Sequence, residues 1–212
     1  MGKKTIETVY RKLCLLSVFH SLKAQEPFAS FLEYAESGDM VIKLLGRAKR
    51  AEDGKIFAFV GPHLVPKSEL IANVNGVFNS VMVRGNAVGD TMFYGRGAGK
   101  LPTASAVVAD VIDACQHTKE TKYFGWEDSD GTVVEDSKKF VSSYYIRVSG
   151  ESVSSAVNAA FGEVKFLSRD GAKTNEAAFI TNAMSGYELE EKLEVLSESC
   201  TVSAPMKVLA LD

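Results

Sequence analysis

The sequence has 212 residues, of which 46% are hydrophobic, enough for one large or two small domains with a sizeable core. Its net charge of −3 and dispersed basic residues exclude the positive surplus of a nucleic-acid-binding protein. The three cysteines fit neither a disulfide framework nor a zinc site, and no apolar run is long enough to cross a membrane. We therefore expect a cytoplasmic protein without bound metal and without nucleic acid or membrane partners.

The first half of the chain combines helices with hairpins. Apolar residues at helical spacing predict an amphipathic N-terminal helix: Ile6, Val9, Leu13, Leu16 and Phe19. A second helix is predicted over 29–36, followed by a hairpin formed by "MVIKLLGRAKR" and "KIFAFVG". The proline-rich stretch that begins "PHLVP" is interpreted as a connection to a second hairpin, "VFNSVMVRG" and "DTMFYG".

Three alternating glycines, Gly95, Gly97 and Gly99, lead into a helix predicted from Thr103 to His117, with Thr103 as its N-cap. The buried stripe of this helix is predicted to be Val107, Val108, Val111, Ile112 and Cys115. Backbone amides at such a turn bind phosphate or carboxylate groups. Leu101 stands where a Walker A loop has Ser or Thr, and the glycine spacing is not that of a dinucleotide fingerprint. A tight strand-to-helix turn without a ligand remains the alternative.

A charged, polar stretch from Thr118 to Lys139 separates this part from a β-α-β-β-α-β pattern, the ferredoxin-like order. The last strand of that pattern is predicted to be "TVSAPMKVLAL". We predict an α+β fold with three parts. A mixed or antiparallel sheet covered by helices occupies 1–118, a linker occupies 119–142, and a ferredoxin-like domain occupies 143–212.

The histidines and cysteines show no pattern of a catalytic or metal site. His20, His63 and His117 share no spacing typical of ligands, so they are predicted to be surface or turn residues. Cys14 and Cys115 fall on apolar helical stripes and are predicted to lie in the core.

Two stretches resemble the catalytic part of homoserine dehydrogenase: "MVIKLLGRA", and the long segment from "VGPHLVPKSELIANVNGVFNSV" to "MFYGRGAGKLPTASAVVADVID". The resemblance runs from about Met40 to Ala114. Homoserine dehydrogenases with an appended ACT-type domain continue as 144–211 does. This family implies reversible hydride transfer between aspartate 4-semialdehyde and homoserine, in threonine and methionine biosynthesis, with NADP or NAD as cofactor.

The resemblance also implies roles for individual residues. Gly97, Ala98, Gly99 and Thr103 would approach the cofactor. "TVYRK" matches the family's Asp-x-x-x-Lys helix, with Thr8 in place of the aspartate and Lys12 in place of the catalytic lysine, a proton donor to the nascent alkoxide. The alternative is that Lys12 is a solvated surface lysine.

Two parts of the family pattern are not found in the sequence. The family's Rossmann domain does not precede the matching segment, so we expect a fragment, or a subunit completed by a separate nucleotide-binding chain. The Asp-x-Pro-Gly turn of ligand-binding ACT domains is replaced by "VSGESVSS". The alternative function is a non-catalytic dimerisation or amino-acid-sensing module. Both readings predict a homo-oligomer, expected to be a dimer through the sheet of 40–94.

Overall fold

The structure is a computed structural model that describes residues 28–119, 128 and 130–210. The predicted N-terminal helix, and with it Thr8, Lys12, Cys14 and His20, lies outside these residues. The chain divides into two compact units. The sheet unit contains the residues up to Lys67 together with those from Asp128 onward, and the hairpin unit runs from Ser68 to Glu127.

The described residues form a mixed α+β fold. The helices are α1 (Phe28–Ser37), α2 (Lys100–Gln116), α3 (Val153–Phe161) and α4 (Gly186–Ser197), with short 3-10 helices at Leu70–Asn73 and Ser137–Lys139. The strands are β1 (Met40–Arg50), β2 (Ile56–Pro66), β3 (Phe78–Gly85), β4 (Gly89–Arg96), β5 (Tyr144–Gly150), β6 (Lys165–Leu167), β7 (Glu176–Ile180), β8 (Cys200–Val202) and β9 (Met206–Val208). Both predicted hairpins and the helix over 29–36 are confirmed.

The second half of the sheet unit has the predicted order of elements, β5-α3-β6-β7-α4-β8. Its strands lie side by side in the order β8-β5-β7-β6, and each neighbouring pair is antiparallel. These are the element order and pairing of a ferredoxin-like sheet. The end of the chain adds a further strand, β9, beside β5.

The predicted C-terminal strand is interrupted at Pro205, which has no backbone N–H to donate to a sheet. Between β8 and β9, the Ser203 hydroxyl accepts a hydrogen bond from the Arg147 N–H at 3.2 Å and donates to the Arg147 carbonyl at 2.9 Å. After Pro205 the chain forms β9, which pairs in parallel with β2 at His63 and Leu64.

These pairings correct two expectations. "PHLVP" is part of β2 rather than a connection, since all of 56–66 pairs with β1. Strands β1 and β2 share a seven-stranded sheet with the C-terminal strands, whereas β3 and β4 form a separate two-stranded sheet, so 40–94 is not one sheet. Strand β9 connects β2 to the ferredoxin-like strands, and the boundaries at 118 and 143 stay a prediction.

Part of the predicted linker packs within the sheet unit. Val134 forms a bridge with Ile56, Ser142 forms one with Met184, and Phe140 is buried. Residues 120–127 and 129 lie outside the described residues.

Both faces of the ferredoxin-like sheet are buried. Tyr144, Ile146 and Val148 of β5 point to one face, where they pack with residues of α3 and α4. Tyr145 points to the other face and packs with Tyr34 of α1. This alternation with a period of two is the pattern of a strand buried on both sides.

The hairpin unit buries far less. Its helix α2 has no buried residue among those described, and Val107, Val108, Val111, Ile112 and Cys115 are all exposed. The predictions of a buried stripe and of a core position for Cys115 are therefore wrong for the described chain. A helical period identifies an apolar face without identifying what covers it. No helix in the described part of the chain is long and apolar enough to span a bilayer.

Candidate functional site

The glycine loop, Gly97–Gly99, joins β4 to α2 at the end of a well-ordered hairpin. Strands β3 and β4 pair in continuous register from Phe78 with Arg96 to Gly85 with Gly89. At the loop end, the Phe78 and Tyr94 rings stack with centroids 4.8 Å apart, and the Arg96 guanidinium lies 5.5 Å from the Phe78 centroid. These contacts hold the strand from which the loop departs.

Side chains are disfavoured at two of the loop positions. A Cβ added to Gly97 would lie 2.7 Å from Asn79 Nδ2, so any side chain there would displace the asparagine. Gly99 has φ of 112°, a conformation that residues with a Cβ rarely adopt. The loop thus exposes backbone where side chains would block approach, as expected where a ligand contacts the main chain.

The N-terminus of α2 corrects the prediction for Thr103. The helix begins at Lys100 and its N-cap is Gly99, while Thr103 lies inside the first turn and donates its N–H to the Gly99 carbonyl at 3.1 Å. Pro102 explains the early start, because its missing N–H falls where a helix leaves N–H groups without intrahelical acceptors.

The start of α2 favours an anion. No side chain caps the helix at Gly99, and its first turn has no acidic residue. The positive end of the helix dipole and the Lys100 charge therefore both attract negative groups.

The predicted residues Gly97, Ala98 and Gly99 are contiguous and exposed, and Thr103 lies one turn further along. Lys12 is not among the described residues, so its distance from the loop is not defined.

His63 in β2 was wrongly expected at the surface. It is 1% exposed, its Nδ1 lies 2.9 Å from the Gly61 carbonyl, and its ring stacks on Phe59. Its Nε2 has no hydrogen-bond partner among the described residues. Burial, helped by the nearby charges of Arg47 and Lys207, lowers the His63 pKa to about 4. Pro62 and Pro66 lie on either side of His63, and prolines are uncommon inside strands, so the sequence around His63 does not indicate a buried strand.

A family model for homoserine dehydrogenase matches residues 5–112, slightly more than half of the chain. The chain belongs to the homoserine dehydrogenase family. The match includes the N-terminal segment with Lys12, both hairpins, the glycine loop and most of α2. It stops before the ferredoxin-like strands.

Individual homoserine dehydrogenases agree with this assignment. The chain is 42% identical over 124 residues to that of Neisseria gonorrhoeae, which covers 55% of this chain and 28% of the relative. It is 32% identical over 155 residues to that of Helicobacter pylori, covering 68% of this chain and 36% of the relative. The crystal structure of a homoserine dehydrogenase from Thiobacillus denitrificans superposes with a TM-score of 0.68 at 28% identity, over 85% of this chain and 45% of that one. The chain thus spans less than half the length of these relatives.

The glycine loop fits the nucleotide cofactor that the family implies. Its exposed backbone, its uncapped helix start and its lack of first-turn acidic groups suit the anionic and amide groups of NAD(P). By itself the loop offers only a few amides. The larger part of a dinucleotide site is a Rossmann crevice.

Proposed function

We propose that this chain is the catalytic and ferredoxin-like part of a homoserine dehydrogenase, which interconverts aspartate 4-semialdehyde and homoserine once a nucleotide-binding domain is supplied. The observation that carries the proposal is the glycine loop. A side chain at Gly99 would be strained and one at Gly97 would displace Asn79, and the loop opens onto a helix N-terminus without a side-chain cap. Bound NADP or NAD would supply or accept the hydride.

The residues of this chain would position the reactants and move a proton. The amides of Gly97, Ala98 and Gly99 would bind one edge of the cofactor, and Thr103 would lie beside them. Lys12 would donate a proton to the alkoxide oxygen as homoserine forms. Thr8 in place of the family's acidic residue leaves Lys12 without that partner for tuning its pKa.

The activity test compares the chain alone with the chain joined to the nucleotide-binding domain of a relative. Homoserine oxidation, followed as NADPH formation, should be undetectable for the lone chain, because half a site cannot hold the hydride donor and the oxidised nicotinamide in contact. The joined protein should turn over, and Lys12→Ala should abolish most of that activity. Turnover by the lone chain would refute the need for a supplied domain. Full activity of the joined Lys12→Ala protein would remove this lysine from the mechanism.

Matched glycine variants test the loop. Gly97→Ala in the joined protein should raise KM for NADP by about tenfold or more, because the new methyl group displaces Asn79 and crowds the cofactor edge. Gly95→Ala is the control, since a Cβ there meets nothing within 4 Å. Equal KM values for the two variants would exclude the loop from the cofactor site.

The hairpin unit is proposed to pair with a second copy of the chain. Val81, Val83 and Phe93 share one face of β3–β4 by register, and more than half of each side chain is exposed. Antiparallel sheets bury such a face against another layer. Sedimentation should show a dimer at micromolar concentration and a monomer for Phe93→Asp. A monomeric unmodified chain would contradict the proposal.

The domain at 143–212 is proposed to be ACT-type, with a packing role rather than an amino-acid site. Its ferredoxin-like sheet is covered on both faces by elements of this chain. The turn after β5 passes through Ser152 at φ of 52° and has no proline. Threonine should therefore leave the thermal unfolding midpoint of the chain unchanged.

A further inference from the structure

The sheet unit contains a cavity of about 360 Å³. It lies where the distal end of the β1–β2 hairpin meets the segment that enters β5. None of the glycine-loop residues lines it. Its size is within the range of pockets that hold small organic molecules.

The cavity wall is strongly basic. Arg47, Lys49, Arg50 and Lys139 line it, and no acidic residue does so among those described. Pairing in β1–β2 sets Arg47 opposite Phe59 and Lys49 opposite Phe57, so both cations and both rings share one face of the hairpin.

The opposite wall is aromatic and fixed. The Phe140 ring is 7% exposed and packs on Phe57 and Phe59, with centroids 5.4 and 5.0 Å apart. The Arg47 guanidinium lies 5.3 Å from the Phe140 centroid. This packing restricts where the guanidinium can move, which lowers the entropy lost when it binds an anion.

Lys139 is positioned by a carboxylate that does not line the cavity. Its Nζ lies 3.1 Å from Glu135 Oε1, and Lys55 Nζ lies 2.8 Å from Glu135 Oε2. The hydrogen bond from Lys55 is the main cause that lowers the Glu135 pKa to about 2, so Glu135 stays ionised in this pair of contacts. The ammonium group of Lys139 is thus tethered at the cavity edge.

We propose that this cavity, the basic pocket, binds a small organic phosphate. The phosphate would lie against the cations of Arg47, Lys49, Arg50 and Lys139, and the apolar portion of the ligand would lie against Phe57 and Phe140. A phosphate monoester carries about −1.5 to −2 charges at neutral pH and three acceptor oxygens, which several converging cations match better than one carboxylate does. The planar guanidinium group of arginine can also bind phosphate through two parallel hydrogen bonds.

Titration calorimetry with AMP as the probe tests the proposal. AMP should bind the full chain, and raising the salt from about 50 mM to about 300 mM should weaken binding because exposed charges are screened. Adenosine, which has no phosphate, should not bind measurably. The double variant Lys49→Glu/Arg50→Glu should weaken AMP binding by about tenfold or more through lost charge-assisted hydrogen bonds. Both residues are exposed, so the fold should persist, which circular dichroism checks.

Two control variants and a comparison with citrate make the result specific. Lys165→Glu/Lys173→Glu reverses two exposed charges that do not line the pocket and should leave AMP binding unchanged. Gly99→Ala should also leave it unchanged, which separates the basic pocket from the proposed cofactor loop. Absence of AMP binding, equal losses in the two double variants, or binding of citrate as tightly as AMP would overturn the proposal.

Discussion

Helices α4 and α2 show how two amphipathic patterns can end in different environments. In α4, Leu189 and Leu196 are buried against β5 and α3, and Ser185 and Glu188 form a reciprocal capping box at its start. In α2, which is longer, no described residue is buried and no side chain caps the start. The sequence period identifies the apolar face in both, but only α4 has its covering partner within the described chain.

The difference bears on function because exposed apolar stripes mark interaction surfaces. Val107 and Val111, one turn apart on α2, are 58% and 57% exposed. The uncapped end of the same helix carries the glycine loop. Under the proposed function, a supplied nucleotide-binding domain would both cover the apolar stripe of α2 and complete the cofactor site.

The largest expected contrast is in stability. Leu196→Ala should cost about 2–5 kcal/mol of unfolding free energy, because it opens a cavity beneath a side chain that is 1% exposed. Val111→Ala should change stability by less than about 0.5 kcal/mol, since its side chain is exposed and alanine favours helix. Urea unfolding followed by circular dichroism measures both. A costly Val111→Ala would show that α2 is covered in the lone chain.

A second contrast concerns pH. Because of His63, the stability of the sheet unit should depend on pH. Its pKa is about 4 when folded and 6.5 in the unfolded reference, so in this window the unfolded chain binds a proton that the folded chain does not. Stability should therefore fall as the pH drops, by about 2 kcal/mol between pH 7 and pH 5.

His63→Asn is the matched variant for this prediction. Its amide can still donate to the Gly61 carbonyl, but it does not titrate. The slope of urea-unfolding free energy against pH should flatten in His63→Asn even if the variant is less stable overall. An unchanged slope would assign the pH dependence to other groups.

Local patterns predicted most elements, and the errors came from long-range contacts. The hairpins, the helix over 29–36 and the β-α-β-β-α-β order follow from period and turn residues. The parallel pairing of His63 and Leu64 with β9 joins segments more than 140 residues apart, and no local signal indicates it. It also places His63 between two paired strands, where it is buried.

The candidate site was predictable to the same extent. The glycine loop was found from its residues and from the family resemblance. Its N-cap was assigned to Thr103 because a side-chain cap is the commoner choice, whereas the structure uses Gly99. The basic pocket was missed because Lys139 and the β1 cations are about 90 residues apart and meet only in the folded chain.

The most direct test of whether a supplied nucleotide-binding domain covers α2 is alkylation of the cysteines, with the modified residues identified by peptide mass. Cys115 on α2 is exposed and Cys200 is buried in the sheet unit, so each chain carries its own control. In the lone chain, Cys115 should react with iodoacetamide at least about tenfold faster than Cys200, because only Cys200 needs local opening. When the nucleotide-binding domain of a relative is joined and homoserine turnover is restored, Cys115 should become as protected as Cys200. Rapid labelling of Cys115 in the active joined protein would contradict the account.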